Sequence, residues 1–548
     1  MAQGWTIDAT ADQITFFEAP ATGTNNIVVR EFAVPATGGS TDVFALSAWG
    51  TRFGYPAEVE FYAGRLVFAS TNDQSQTVWM SKVGNYVDFG KTIPSVDDDA
   101  ITATINARQV NRIKELVPLS ELLLLTTGGE WKTTGGQDDV LTPTTVGLKP
   151  QSYNGAAELP ALVIGTSALF VQNRGYVVRD IGYSFESDGY TGNDLTVFAS
   201  HLTEGKPIVD WDYQQIPYSI VWSVREDGVL LALTYMRDQS VVAWTPMEID
   251  GFVESVTTVP EGGEDSVYIV VRRTVGGQQR RYIERLSSRL VTDVREGKFL
   301  DSHLTYDGRN KAATTLTASG ATWSVGDVVT VTASAATFSA GDIDDVIVLG
   351  YTAGANSRLR ITAFTSSTQV LAQISTPVPV AYRGNATTDW GIARDVLSGL
   401  AHLNGRSVGV LSDAFVQADK TVTAGSITLD EPGVLVHVGL RYVSDLETLE
   451  INVPGGQTTR MQNKMIKRLG VIVQDTRSVR AGPDFENLDE WEPRIAEPTI
   501  APPDLQNGCL QVWIPGSWVE KGRVCIRQAD PLPMSVLGII PDVSLGDL

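Results

Sequence analysis

The sequence predicts an all-β protein with a β-propeller body into which small β-barrel or sandwich domains are inserted. Three observations carry this prediction. Gly and Pro number 51 and 25 of 548 residues, which suits many short strands joined by turns. Long runs of helix-forming residues at helical period are scarce. One apolar strand core recurs five times between residues 50 and 290, at intervals of about 50 residues, which is the period of a propeller blade.

Each recurring core is followed by a turn and a second, alternating strand. The cores read RLVFAS (65–70), ELLLLTT (121–127), SALFVQ (167–172), YSIVWS (218–223) and DSVYIVV (265–271). A strand that is buried on both faces is continuously apolar, whereas a half-exposed strand alternates. Asp227–Gly228 and Gly276–Gly277 supply the positive φ angles of hairpin turns. The pattern predicts five blade-like units, and a set of β-sandwiches is the alternative.

The composition changes near residue 300, and this change divides the chain. Residues 316–350 are rich in Ser, Thr, Ala and Gly, and their short segments alternate between apolar and polar residues. We predict five parts: a partial small β module at 1–48, propeller blades at 49–300, an inserted small β domain at 301–395, a second small β domain at 396–457, and a C-terminal β segment at 458–548 that completes the propeller body.

The formal net charge is −22. Tight binding of nucleic acid requires Lys and Arg that displace counterions from phosphates, so this charge argues against a surface that grips DNA. It is compatible with a surface that DNA slides past, where repulsion is useful. Simple solubility is the alternative explanation for any single acidic patch.

Patterns of catalytic and metal-binding residues are missing from the sequence. The histidines His201, His303, His402 and His437 lie outside ligand spacing of one another, and there is no Walker A or GxGxxG motif. We therefore predict no enzyme activity, no cofactor and no metal. Adjacent carboxylates in a strand point to opposite faces, so we interpret Asp97–Asp99 and Asp138–Asp139 as exposed loops. A divalent cation on either loop is the alternative.

Residues 54–89 carry a specific resemblance. They read GYPAEVEFYAGRLVFASTNDQSQTVWMSKVGNYVDF. The succession of Gly-Tyr-Pro, Val-x-Phe, Arg-Leu-x-Phe-Ala, Gln-Thr-x-Trp-x-Ser and Gly-x-Tyr-x-x-Phe resembles the tail nozzle proteins (tail tubular protein B and relatives) of short-tailed bacteriophages. The similarity continues through residues 97–131, 167–202 and 528–543.

The resemblance implies a virion structural protein. Six copies would form a ring below the adaptor (the head-to-tail connector) and the portal, and would retain and conduct double-stranded DNA during ejection. The implied partners are further copies of the chain, the adaptor, tail fibre or needle and tip proteins, and DNA that passes without specific binding; no membrane segment is expected. The chain would be made in the bacterial host cytoplasm and reside in the virion tail. The alternative function is a tail-tip propeller that binds or cleaves host surface polysaccharide.

Three sets of residues are expected to serve this function. The interior of the first blade is expected to hold Val59, Phe61, Leu66 and Phe68, and blade packing is expected of Arg65, Phe68, Trp79, Tyr86 and Phe89. An acidic channel wall is expected of Asp97, Asp98, Asp99, Asp138, Asp139, Asp342, Asp344 and Asp345. Contact with a neighbouring subunit is expected of the basic residues Arg460, Lys464, Lys467, Arg468, Arg477 and Arg480, for which a strand pair with solvated charges is the alternative.

Overall fold

A computed structural model describes residues 5–8, 13–16, 49–50, 53–136, 140–354, 356–452, 462–491, 504–514, 516 and 518–546. Over these ranges the chain is nearly all β. Its contacts divide it into two compact units. The first unit comprises Met1–Asp227 and Leu231–Pro246, and the second comprises Gly228–Leu230 and Met247–Leu548.

The first unit contains one two-stranded pair and four consecutive four-stranded antiparallel sheets, here called sheets I to IV. The pair is β1 (Trp5–Asp8) and β2 (Gln13–Phe16). Sheet I is β3 (Glu58–Tyr62), β4 (Arg65–Ala69), β5 (Thr77–Met80) and β6 (Ile101–Thr104). Sheet II is β7 (Ile113–Pro118), β8 (Leu122–Thr126), β9 (Gly129–Thr134) and β10 (Gly147–Ser152). Sheet III is β11 (Leu162–Ile164), β12 (Ser167–Val171), β13 (Val178–Ser184) and β14 (Gly189–Thr191). Sheet IV is β15 (Ile208–Gln214), β16 (Ile220–Arg225), β17 (Leu230–Met236) and β18 (Val241–Met247).

In each of these sheets the strands pair in chain order, so that each sheet is an up-and-down meander. A short helix α1 (Ser200–Thr203) precedes sheet IV, and a 3-10 turn follows β17 at Arg237–Gln239. None of the helices that the structure describes has the length and apolarity needed to cross a bilayer.

Neighbouring sheets pack face to face through the second strand of each meander. In β8, Leu122 and Leu124 join a core shared with sheet I, whereas Leu123 and Leu125 join a core shared with sheet III. The same alternation continues in β12, where Phe170 packs toward sheet II. Both faces of these central strands are therefore buried, which explains why their sequences are continuously apolar.

The second unit opens with sheet V, which is three-stranded: β19 (Phe252–Glu261), β20 (Glu264–Val275) and β21 (Gln278–Arg285). All five predicted strand cores thus lie in the second strand of sheets I to V. The predicted turn at Gly276–Gly277 is a two-residue hairpin loop between β20 and β21, and both glycines have positive φ, of 59° and 78°. This is the geometry that a tight hairpin requires.

The next twelve strands form two sheets. Their bounds are β22 (Asp301–Asp307), β23 (Leu316–Ser319), β24 (Val328–Ala333), β25 (Val346–Leu349), β26 (Ser357–Ser366), β27 (Gln369–Ile374), β28 (Ala386–Thr387), β29 (Trp390–Leu397), β30 (Ser407–Ser412), β31 (Phe415–Thr421), β32 (Ile427–Gly433) and β33 (Leu435–Leu440). One sheet has the order β22-β33-β30-β31, and the other has the order β28-β23-β24-β27-β26-β25-β29-β32. Strand β29 crosses residue 395, the predicted boundary between two small domains, and pairs with β25 on one side and β32 on the other. The two predicted small domains therefore share one sheet.

The last seven strands form two further sheets. Their bounds are β34 (Ser444–Glu447), β35 (Lys464–Thr476), β36 (Arg480–Asp484), β37 (Asn487–Glu490), β38 (Gln506–Trp513), β39 (Cys525–Gln528) and β40 (Ser535–Leu545). The orders are β34-β39-β36-β37 and β38-β35-β40. The 3-10 turns of this unit are Val294–Glu296, Ala340–Asp342, Val380–Tyr382 and Ala401–Leu403.

Candidate functional site

The segment that carries the resemblance folds as sheet I and the loop before β6. Arg65 begins β4 and is 1% exposed. Its guanidinium donates to the carbonyl oxygens of Ser81 and Asp99, both at 2.7 Å, and of Asp97 at 3.0 Å. A longer bond of 3.4 Å reaches the carbonyl of Leu141, which lies between β9 and β10 of sheet II. The planar fork of an arginine suits several acceptors at once, so Arg65 ties β4 to the 97–99 loop.

An aromatic cluster covers the face of sheet I that points away from sheet II. Trp79 is 4% exposed, and its ring meets the ring of Trp49 edge to face at 5.2 Å between centroids. Trp49 also contacts Phe68 at 5.4 Å and Phe89 at 5.5 Å. Edge-to-face geometry at these distances is the favourable arrangement for aromatic pairs. These contacts place three of the predicted packing aromatics in one cluster.

The outer strand of the same sheet departs from the prediction. Val59 and Phe61 were expected to fill the interior, and this is wrong, because they are 59% and 60% exposed. The ring of Tyr86 is 45% exposed and packs edge to face on Phe61 at 5.2 Å. The position of the strand explains the difference. Val59 and Phe61 lie on β3, the edge strand of sheet I, and Phe61 is not among the rings that contact Trp49. Tyr86 therefore packs on a surface residue rather than in a core.

The three aspartates of the loop before β6 differ in burial. Asp97 and Asp98 are exposed, whereas Asp99 is fully buried. The Asp99 carboxylate accepts bonds from the hydroxyl of Thr92 at 2.6 Å and from the backbone amides of Thr92 and Val96. The Thr92 hydroxyl bond is the main reason that the pKa of Asp99 lies well below its usual range. The expectation that Asp99 lines a channel is corrected, because its charge is used to hold its own loop.

The second acidic cluster, Asp342, Asp344 and Asp345, also contains both buried and exposed carboxylates. Asp342 is 5% exposed, accepts from the Ser339 amide at 2.7 Å, and contacts the Arg394 guanidinium at 2.8 Å. The Asp345 side chain is 13% exposed and also binds Arg394, at 2.9 Å. Only the Asp344 side chain is open, at 71% exposed, although it contacts Arg360 at 2.9 Å. Asp342 and Asp345 are thus internal ion-pair partners, which corrects their expected place on a channel wall. Asp138 and Asp139 lie outside the described residues.

The basic segment near the C-terminus contains one clear correction. Lys464 is fully buried, and its ammonium donates to the carbonyl oxygens of Glu520 at 2.8 Å and Gln462 at 3.1 Å. A buried ammonium held by carbonyls is a structural group, so Lys464 cannot contact another subunit. Arg480 is occupied by Asp530 at 2.8 Å.

The remaining members of the predicted basic set differ in accessibility. Lys467 is exposed on β35. Arg468 contacts Asp542 at 3.5 Å and lies over the ring of Trp513 at 5.8 Å. Arg477 is half-buried, and Arg460 lies outside the described residues.

Two half-buried glutamates form a feature that the sequence did not suggest. Glu58 on β3 and Glu115 on β7 lie where sheets I and II pack, and both Oε atoms of Glu115 lie within 2.7 Å of the Ala161 amide nitrogen. Burial raises the pKa of Glu58 to about 7. Burial also raises the pKa of Glu115 to about 7, helped by the negative charge of Glu58. No sequence pattern marks this pair, because its members lie 57 residues apart and meet only through the packing of the sheets.

The arginine-rich stretch RRTVGGQQRR at 272–281 is a further feature, and its composition is visible in the sequence. The Gly276–Gly277 turn at its centre predicts a hairpin but does not by itself indicate a charged surface. Among the described residues there is no group of three or more His, Cys, Asp or Glu side chains that could hold a metal ion. The buried charged groups bind backbone atoms and one another, and the rings of Trp79 and Phe68 pack against Trp49.

This arrangement defines a class of protein by its fold: a chain of antiparallel β-sheets in which Arg65 and the aromatic cluster on Trp49 serve packing. The comparison with protein families then identifies it further. Residues 57–201 match the family model described as bacteriophage nozzle protein. The match confirms the resemblance to tail nozzle proteins over these residues, and it supports a structural protein of a phage tail.

No curated protein matches the chain. Among solved structures, a luciferin-regenerating enzyme is similar over 40% of this chain and 84% of its own, with 12% sequence identity and a TM-score of 0.18. A similarity of that size supports no conclusion about fold or activity.

Proposed function

We propose that this protein is the subunit of a hexameric tail nozzle, a ring below the adaptor and portal that retains double-stranded DNA and conducts it during ejection. The observation that carries the proposal is the extent of the family match. It begins at residue 57, one residue before β3, and ends at residue 201 in α1, so it spans sheets I, II and III completely. The similarity to nozzle proteins therefore concerns three whole, mutually packed sheets.

The proposed body is a β-propeller to which sheets I to V contribute blades. Support comes from the repeated up-and-down order of the sheets and from the serial cores between I and II, II and III, and III and IV. In a propeller every blade packs on the next in the same way. Arg65 and the aromatic cluster on Trp49, which includes Trp79, would act in it as packing groups of the first blade.

The lumen of the ring is proposed to be acidic. Six copies carry a formal charge of −132, which is six times −22. Asp97, Asp98 and Asp344 have the exposure that a channel wall requires. Carboxylates repel phosphates, and salt screens that repulsion over about 8 Å, so DNA that fills a narrow channel stays within range of the wall. Such a wall offers DNA few places to bind, which favours passage.

The proposed partners are the adaptor above the ring and the fibre or tip proteins of the tail, with the virion tail as the site of action. Lys467, which is exposed on β35, is the member of the basic set that we propose for such contacts or for a neighbouring subunit. No cofactor is proposed.

The proposal is tested with a phage that lacks this gene and receives it in trans. Without the protein, heads are expected to package DNA and then lose it, so that the genome becomes sensitive to nuclease; with the protein, the genome is protected. As a control, the same phage is complemented with its adaptor gene alone. Nuclease-resistant genomes in particles that lack the protein would contradict a role in DNA retention. Cleavage of host polysaccharide by the purified protein would favour a tail-tip enzyme instead.

A further inference from the structure

Sheet V differs from the four sheets before it in its length and in the charges at its two ends. Its central strand β20 has 12 residues, which corresponds to about 37 Å. A glycine pair closes each end: Gly262–Gly263 joins β19 to β20, and Gly276–Gly277 joins β20 to β21. The two hairpin loops therefore point in opposite directions. We call them the acidic tip and the basic tip.

The basic tip carries four arginines that face each other across the hairpin. Arg272 lies directly opposite Arg281, and Arg273 lies directly opposite Arg280. Glu254 contacts both Arg272, at 2.9 Å, and Arg281. A second glutamate, Glu284, is held by Arg273. Four arginines and two glutamates leave this tip with a net charge of +2.

The acidic tip has the opposite balance. Glu261 lies directly opposite Glu264, and Asp265 follows it on β20. Arg285 contacts Glu261 at 3.2 Å. Three carboxylates and one arginine leave this tip with a net charge of −2. Its loop glycines Gly262 and Gly263 are exposed, as are Gly276 and Gly277 at the other end.

Like charges directly opposite each other destabilise a strand pair. Sheet V has such pairs at both ends and with opposite signs, so each end would gain from a partner of the other sign. A ring of identical subunits is built from head-to-tail contacts, in which two different surfaces of the same chain meet. Two complementary tips that point in opposite directions along one strand meet that requirement. A two-fold contact through one tip alone would bring equal tips together and would be repulsive.

We infer that the basic tip of sheet V in one copy docks against the acidic tip of sheet V in the next copy. This inference rests on the proposed ring. DNA is the other polyanion that the arginines could meet, but DNA would leave the acidic tip unexplained. A second copy accounts for both tips at once. Charge complementarity of this kind contributes mainly to the register and selectivity of an interface.

The first test forms a covalent bond between the tips in assembled tails. Gly263→Cys and Gln278→Cys are combined in a Cys509→Ser background, because Cys509 is exposed. Both sites suit the change, since a Cβ on Gly263 meets nothing within 4 Å and Gln278 is exposed. Oxidation is expected to give a ladder of linked chains from the double variant, and no ladder from either single variant. A ring of this chain in the tail without any ladder would overturn the tip contact but leave the ring proposal standing. Tails that hold no ring of this chain would overturn both.

The second test reverses charge. Gln278→Glu with Arg280→Glu takes the basic tip from +2 to −1, and the carboxylate introduced at position 280 would lie opposite Arg273, so the hairpin gains an attractive pair. Gly263→Lys with Glu264→Lys takes the acidic tip from −2 to +1, and the ammonium introduced at position 264 would lie opposite Glu261. Each variant alone is expected to lower incorporation into tails at least fivefold.

The sharpest outcome comes from mixing the two variants. Rings that alternate between them restore opposite charges at every contact, and such rings require an even number of subunits. Incorporation of the mixture is therefore expected to return to near the wild-type level. The matched control, Arg108→Glu with Gln109→Glu, makes the same change of three charges at positions elsewhere on the surface and is expected to assemble normally. Normal assembly of both tip variants, with altered genome retention only for the basic-tip variant, would show that the arginines meet DNA and would refute the inference.

Discussion

Replacement of Arg65 by methionine tests the packing role of the segment that carries the family resemblance. The change keeps an unbranched side chain but removes the guanidinium, and the carbonyls of Ser81, Asp97 and Asp99 then lose their donor in a site that is 1% exposed. A buried acceptor left without its partner costs about 1–3 kcal/mol. Removal of a buried charge offsets part of the loss of three such bonds. We therefore expect a net destabilisation of about 3–5 kcal/mol.

That loss is a large share of the roughly 5–15 kcal/mol that stabilises a folded domain. It should lower the melting temperature by about 10 °C or leave the protein insoluble. Arg65→Lys is the matched control, because it keeps the charge and three donors but not the planar fork, and it should fall between wild type and Arg65→Met. The assay is urea unfolding followed by tryptophan fluorescence, with the soluble yield recorded. An Arg65→Met protein that unfolds within about 1 kcal/mol of wild type would refute the argument that these bonds hold the loop to β4.

Three further predictions follow from the same unit. Trp79→Ala should destabilise by about 3–5 kcal/mol and yield insoluble protein, whereas Val87→Ala, at a position 86% exposed, should be neutral; normal melting of the Trp79 variant would contradict its packing role. Lysine at Asp97 and Asp98 should slow genome ejection, measured by dye release, and added salt should partly relieve the delay; an unchanged rate with these lysines shown to line the lumen would end the idea of a repelling wall. Because the folded-state pKa of Glu115 is raised to about 7, its contribution should be fully present below about pH 4.5 and be lost as the pH rises through about 7. Glu115→Gln should remove about 1–2 kcal/mol of that fall after allowance for partial exposure, as measured by melting at about pH 5 and pH 8; an unchanged pH dependence would contradict the burial argument.

The local sheet pattern was predictable because it depends on neighbouring residues. The run Leu122–Leu125 is continuously apolar, and in the structure its members alternate between two cores, as a strand buried on both faces must. The Gly276–Gly277 turn was predictable for a similar reason, because glycine adopts positive φ at no steric cost. The pairing of strands that are not joined by a hairpin could not be predicted from the sequence. Strand β29, for example, pairs with β32, which begins about 30 residues later, and no local pattern marks this pairing.

The exposure of single charged residues could not be predicted from the sequence. Asp97 and Asp99 have the same side chain two positions apart, yet one is exposed and the other is fully buried. The difference arises from Thr92, whose loop folds back to donate to Asp99. Lys464 was predicted to be a surface charge, but its ammonium is buried against the carbonyls of residues 462 and 520. Such contacts depend on how the chain folds back on itself, so composition alone could not assign these residues.

The most direct test of the nozzle proposal is a cryo-electron microscopy reconstruction of the phage tail, made without imposed symmetry before it is averaged. It should show six copies of this chain in one ring directly below the adaptor, with density for double-stranded DNA along the axis and sheets I to III in every copy. A reconstruction that places the chain as separate copies at the tip of the tail, or as a ring that does not enclose the path of the DNA, would contradict the proposed function.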